Sequence, residues 1–288
     1  MTDRTKGFVA TVVSATFFGF VPMMTKVISS GGGSMLLAAL YRFLFSLPVL
    51  YIYLKVKKTS MAITKRQVLD IVIITLFGYG GTTILLFSSY DYIPLGMATT
   101  IHFTYPVFTI LGCLIFLKAK VKLQKIIAVA LSFAGILCFY SGGGDISVHG
   151  IVLAFISGMT YAFYTVYLKQ SSLFDMEPLK LIFYLNAAGS VMMIAFVVAT
   201  DGFTLDMTAT AWIVAVVLAV STSFLGVRGY QAGVKLIGPE NTAILSTFEP
   251  ITSVIVGILV YSEALTASRL IGCLCILASV VIVARMKE

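Results

Sequence analysis

Ten apolar runs of about 20 residues, joined by short polar connections, occupy almost the whole of this 288-residue chain. A helix needs about 20 mostly apolar residues to cross ~30 Å of hydrocarbon, so the pattern points to an all-α polytopic membrane protein with ten transmembrane helices. The runs fall near 7–26, 35–54, 68–90, 96–117, 123–140, 150–168, 179–199, 211–233, 240–261 and 267–284. None of the connections is long enough to hold a soluble domain. Hydrophobic residues make up 59% of the chain and charged residues 11%, too little polar surface to coat a soluble globule of this size.

The net charge of +8 does not indicate nucleic acid, because the charges follow the membrane. With the N-terminus placed in the cytoplasm, every Lys and Arg falls in a cytoplasmic segment except four: Lys26 and Arg269 at the other side, and Arg42 and Arg228 within spans. That asymmetry predicts a multi-pass protein of the plasma (cytoplasmic) membrane with both termini cytoplasmic. The basic loop around residues 55–67 reads as a topology determinant touching anionic lipid. The first run is too long for a signal sequence and lacks a small-residue exit, so it reads as an uncleaved anchor. The four cysteines lie in apolar runs, where a thiol acts as a small hydrophobe. There is no Gly-rich phosphate loop or metal-spaced His cluster, and no cofactor or metal is expected.

The chain also repeats itself. A shift of 144 residues sets Ile93 on Ile237, Pro106 on Pro250 and Lys125 on Arg269, without a gap over 48 positions. Only four of those pairs are identical, so the matched prolines, turns and run lengths carry the case. A shift of 143 sets Gly150 on Gly7 and Lys169 on Lys26, extending the duplication to the start of each half. Five spans is an odd number, so the second half must sit upside down: two inverted five-helix repeats, 1–142 and 143–288, around a central cavity. The Gly-rich linker near residues 141–150 joins them.

Ionisable groups inside spans are costly and mark pathways or partners. Arg228 and Glu249 each lie 10 or 11 residues from the turn at Gly238. At ~1.5 Å per residue both sit about 15 Å deep, so an ion pair or a shared cavity is expected. Thr242, Ser246, Glu249 and Ser253 form one polar stripe, and Ser221, Arg228, Gln231 and Lys235 a second. The 144-residue shift of the first stripe lands on Ala98, His102, Tyr105 and Thr109, so both repeats turn polar faces toward one interior. His102 is either a pathway residue or a satisfied helix–helix hydrogen bond. Arg42 either snorkels to the headgroups or belongs to the pathway. Pro106 and Pro250 break the helix ladder beside these residues and free carbonyls that are tolerated where they line a cavity. Tyr161 and Tyr164, with Tyr79 and Tyr90, are candidate pocket aromatics.

These residues resemble the drug/metabolite transporter superfamily, and within it the ten-span EamA-type transporters, over nearly all of the chain. Gly19 with Lys26 matches the family's first span, Arg42 with Phe43 its second, and Glu249, Pro250 and Glu263 its ninth. Ala119, where a glutamate is common, and Phe18, where a tryptophan is usual, depart from the pattern, as does a charge at Arg228. The resemblance implies inverted repeats that move small metabolites by alternating access.

The leading expectation is a secondary transporter, not an enzyme, that exports amino acids or related zwitterions. Glu249, Arg228, His102, Tyr105, Ser246, Tyr164, Tyr161, Tyr79 and Arg42 are its candidate substrate or coupling residues. Nucleobases, nucleosides or other metabolites are the alternative substrates, and a lipid flippase the alternative activity. The expected partners are a small-molecule substrate, the bilayer and, through Glu249 near His102, protons; the assembly is a monomer or homodimer.

Overall fold

The computed structural model describes residues 1–93, 95–120, 122–138, 147–200, 202–261 and 266–286. Most of the linker between the repeats, the boundary at 142/143 and Glu263 lie outside the described residues. The described residues form ten helices: α1 (Asp3–Ser30), α2 (Met35–Val56), α3 (Lys65–Ser89), α4 (Met97–Phe116), α5 (Leu123–Leu137), α6 (Val148–Gln170), α7 (Pro178–Ala199), α8 (Ala209–Ile237), α9 (Pro239–Val260) and α10 (Ala267–Arg285). Eight are long and apolar enough to cross a membrane, and α5 and the apolar part of α10 are shorter. α1 runs further at both ends than its apolar run, because Thr2 caps it by accepting from the Thr5 amide at 3.2 Å and Lys26 does not interrupt a helix.

Four of the helices are broken, each near a proline. α1 is interrupted at Phe20 ahead of Pro22, α2 at Phe45 ahead of Pro48, α4 at Phe103 and Thr104 ahead of Pro106, and α9 at Thr247 and Phe248 ahead of Pro250. Proline lacks an N–H and its ring clashes with the carbonyl four residues back, so the ladder stops and restarts with proline in the first turn. The breaks in α4 and α9 stand 144 residues apart, which is the offset of the repeat. α3 and α8 loosen differently, into π-helical segments at Thr75–Tyr79 and Thr222–Val227.

The inversion is visible in one contact made twice. A Cβ on Gly7 would lie 2.8 Å from the Leu236 Cβ and 2.9 Å from Ile237, and a Cβ on Gly150 would lie 2.7 Å from the Tyr92 Cβ and 2.9 Å from Ile93. The first contact joins α1 to α8 at the end of the bundle that carries the termini; the second joins α6 to the end of α3 at the opposite end. Arg4 holds the two termini together there, donating to the Val283 carbonyl at 3.2 Å and to that of Met286. The turn between α8 and α9 needs Gly238, whose φ of 82° lies in the region side chains avoid. Pro239 then opens α9 in its first turn.

Candidate functional site

The helix breaks surround an interior cavity of about 90 Å³. Its lining comes from α1, α2, α3, α4, α6, α8 and α9, so both repeats build it. Along α3 it extends from Tyr79 at mid-helix to Tyr90, away from the termini.

Two charged side chains face this space, Arg42 and Glu249. Arg42 is only 9% exposed. A cation that deep loses its hydration and needs compensation, which comes from a 2.8 Å hydrogen bond to Thr83 Oγ1 and from the rings of Phe43 and Phe87, at 5.0 and 5.8 Å. The compensation is partial, because the Arg42 Nε is buried without a partner. Glu249 opens the second half of α9 and is half-buried. None of the ion pairs among the described residues involves either group.

Aromatic rings close the cavity toward the termini. Tyr105 and Tyr161 meet with centroids 4.8 Å apart, Tyr161 and Tyr230 at 5.3 Å, Tyr79 and Tyr164 at 5.7 Å, and Tyr161 and Tyr164 at 5.8 Å. Their hydroxyls are tied to the scaffold. Tyr79 donates to Asn186 Oδ1 at 3.0 Å, Tyr105 to the Ala243 carbonyl at 3.3 Å, and Tyr230 pairs with Thr165 at 2.7 Å. Asn186 donates on to Ser46 and Ser223, at 2.6 and 3.1 Å, joining α7 to α2 and to the π-helical segment of α8. Such hydrogen bonding removes the cost of burying these polar groups.

His102 makes the helix–helix hydrogen bond that is one of the two roles expected of it. Its Nδ1 lies 2.9 Å from Ser157 Oγ, and the ring also lines the cavity. Ser157 spends its own proton on the Ala154 carbonyl at 2.6 Å. The shared proton therefore sits on His102 Nδ1, and Nε2 is left as an acceptor.

Of the residues expected from the sequence, Arg42, Tyr79, His102, Tyr105, Tyr161, Tyr164, Ser246 and Glu249 line this one cavity. Pro106 and Pro250 are buried behind it, at the restarts of α4 and α9. Arg228 is the correction: it is exposed and absent from the lining, so it forms no pair with Glu249. Equal depth said nothing about which way the side chain turns. The stripe drawn through Ser221, Arg228, Gln231 and Lys235 does not hold as one face: Gln231 is buried, Arg228 and Lys235 are exposed, and only Ser221 is set apart from the others by the π-helical segment. Beyond it Tyr230 turns inward, and two helical residues at about 100° each carry Arg228 to the opposite side. Arg42 occupies the place expected of Arg228.

The sequence reading passed over Tyr230, Thr83 and Asn186. Asn186 was findable as an amide in the middle of an apolar run. Tyr230 was hidden by attention to the charge two residues before it.

A family model described as "EamA-like transporter family" matches the chain twice, over residues 5–141 and again over 148–285. The chain is similar to the "Uncharacterized transporter YvbV" of Bacillus subtilis, 29% identical over 73% of this chain and 68% of that one. It is also similar to the "Uncharacterized inner membrane transporter YedA" of Escherichia coli K12, 24% identical over 62% of this chain and 58% of that one. A crystal structure of a protein 15% identical to it superposes over 96% of both chains with a TM-score of 0.79, which shows the fold.

Proposed function

We propose, from the premise that this chain belongs to the EamA-like transporter family, that it is a secondary transporter exporting small zwitterions of the amino-acid class by alternating access. The observation that carries the reading is that Arg42 and Glu249 face one cavity of about 90 Å³ built by both repeats. A guanidinium offers paired donors to a carboxylate, and the Glu249 carboxylate accepts from an ammonium group. The cavity is narrow and lined largely by aromatic rings, which favours a compact substrate and requires the walls to move for a larger one.

The tyrosine cluster closes the cavity toward the termini, and the lining of α3 continues toward the other end. With the termini in the cytoplasm, as the Lys and Arg distribution supports, this is a state turned outward. The repeats 1–142 and 143–288 are the two bodies that exchange access. Glu249 and the Nε2 acceptor of His102 share the cavity, so protons are the proposed coupling ion. Transport that does not respond to an imposed pH gradient would remove the coupling and leave the site.

The test is counterflow in proteoliposomes loaded in turn with amino acids, nucleobases, nucleosides and polyamines. Amino acids are expected to exchange in the wild type, to fail in Glu249→Gln and to exchange in Arg42→Gln only with a strongly raised apparent KM. Exchange that survives in both variants, or exchange confined to nucleobases, overturns the zwitterion reading.

A further inference from the structure

A second cavity, of about 370 Å³, lies at the terminal end between α4, α5, α6 and the turn that opens α9. Among the described residues, Arg4, Lys122, Lys125 and Lys169 line it, with Glu240 as the one carboxylate. Lys125 pairs with Glu240 Oε2. The other carboxylate oxygen, Oε1, is buried and has no partner, and neither does the Asn241 Oδ1 beside it. Glu240 is only 8% exposed, so that oxygen cannot be satisfied from bulk water, and an unpaired buried acceptor is costly to keep.

Membrane topology accounts for lysines at this end but not for a buried acid among them. Nor does the repeat require it: at the 144-residue shift Glu240 falls on Gly96 and Asn241 on Met97. One turn into α9 from Glu240, the Ala243 carbonyl accepts from Tyr105, which lines the central cavity.

We infer that this cavity is a second binding site, for an anionic group that also carries a hydrogen-bond donor. The anion meets Lys169 and the amides at the start of α9; its donor is accepted by the Glu240 carboxylate, which lines the cavity and has one oxygen without a partner. Hydrogenphosphate has both features, whereas sulfate at neutral pH has the charge without the donor. A free metabolite and an acidic phospholipid headgroup share this chemistry. The inference is independent of which substrate the central cavity carries.

The experiment is thermal melting of the full-length purified protein with hydrogenphosphate or sulfate, repeated in nanodiscs of phosphatidylcholine with and without phosphatidylglycerol. Hydrogenphosphate is expected to raise Tm by several degrees and sulfate by less than half as much. The shift should vanish in Lys169→Gln, persist in Lys169→Arg, and persist in Arg42→Gln, which alters only the central cavity. Stabilisation by phosphatidylglycerol that needs Lys169 identifies a lipid headgroup as the anion; stabilisation by free phosphate identifies a soluble one. A shift unchanged in Lys169→Gln, equal shifts by phosphate and sulfate, a shift lost in Arg42→Gln, or no shift from phosphate or acidic lipid overturns the assignment. Each of these results leaves the counterflow test of the central cavity untouched.

Discussion

The breaks in α4 and α9 are the same backbone event with different chemistry on it. Each helix stops for two residues, 144 positions apart, and restarts on a proline, Pro106 or Pro250. Each is approached by a glycine of the facing helix. A Cβ on Gly158 would lie 2.8 Å from the His102 carbonyl, and one on Gly19 would lie 2.7 Å from that of Glu249. What differs is how the side chains beside the break are satisfied. In α4, His102 bonds Ser157 and Tyr105 bonds Ala243. In α9, Ser246 turns back to the Thr242 carbonyl at 2.9 Å, and Glu249 faces the cavity with no ion-pair partner among the described residues. The inverted repeat thus supplies a symmetric pair of breaks: at α4 the side chains are satisfied by hydrogen bonds to α6 and α9, and at α9 a carboxylate faces the cavity.

That contrast is open to attack by substitution. Glu249→Gln should have the largest effect, taking zwitterion counterflow to the level of empty liposomes, since it removes the charge that distinguishes α9; exchange within threefold of wild type would erase the distinction. Arg42→Gln should raise the apparent KM by about 10- to 100-fold, the worth of a charge-assisted hydrogen bond of ~1.5–3 kcal/mol, and a concentration series reads it directly. Gly19→Ala and Gly158→Ala should each cost about 1–3 kcal/mol by overpacking a break, seen as a lower melting temperature for both; a drop in only one would show that the two breaks are not packed alike. Tyr105→Phe removes a neutral hydrogen bond of ~0.5–1.5 kcal/mol, so counterflow should change by no more than about tenfold. Arg228→Gln should leave counterflow unchanged, and a loss there would return Arg228 to the pathway.

Much of this was legible in the linear pattern. Runs of about 20 apolar residues gave the helices, and the 144-residue offset placed Pro106 against Pro250 before any coordinates. The polar stripe of α9 reads correctly across its own break: Ser246 and Glu249 line the cavity, and Ser253 donates to the Gly19 carbonyl at 2.9 Å. The stripe of α8 does not: Arg228, Gln231 and Lys235 all lie beyond the π-helical segment, where Tyr230 and Gln231 take the inward face and leave Arg228 outside. Arg42 was legible as an intramembrane charge but not as the cation opposite Glu249. That depends on α2 from one repeat facing α9 from the other.

The sequence alone determined the class of fold, the number of spans and the duplication, because hydrocarbon thickness sets helix length and an odd number of spans forces inversion. It also determined which side chains are too polar to face lipid in numbers. The tertiary structure decided which of them meet. Rotation of each helix about its axis is set by packing against neighbours from the other repeat, and a shift of about 100° moves a charge from the cavity to the outer surface. Arg228 and Arg42 are both arginines inside spans, and only the packing of α8 and α2 sends one outward and the other to the central cavity.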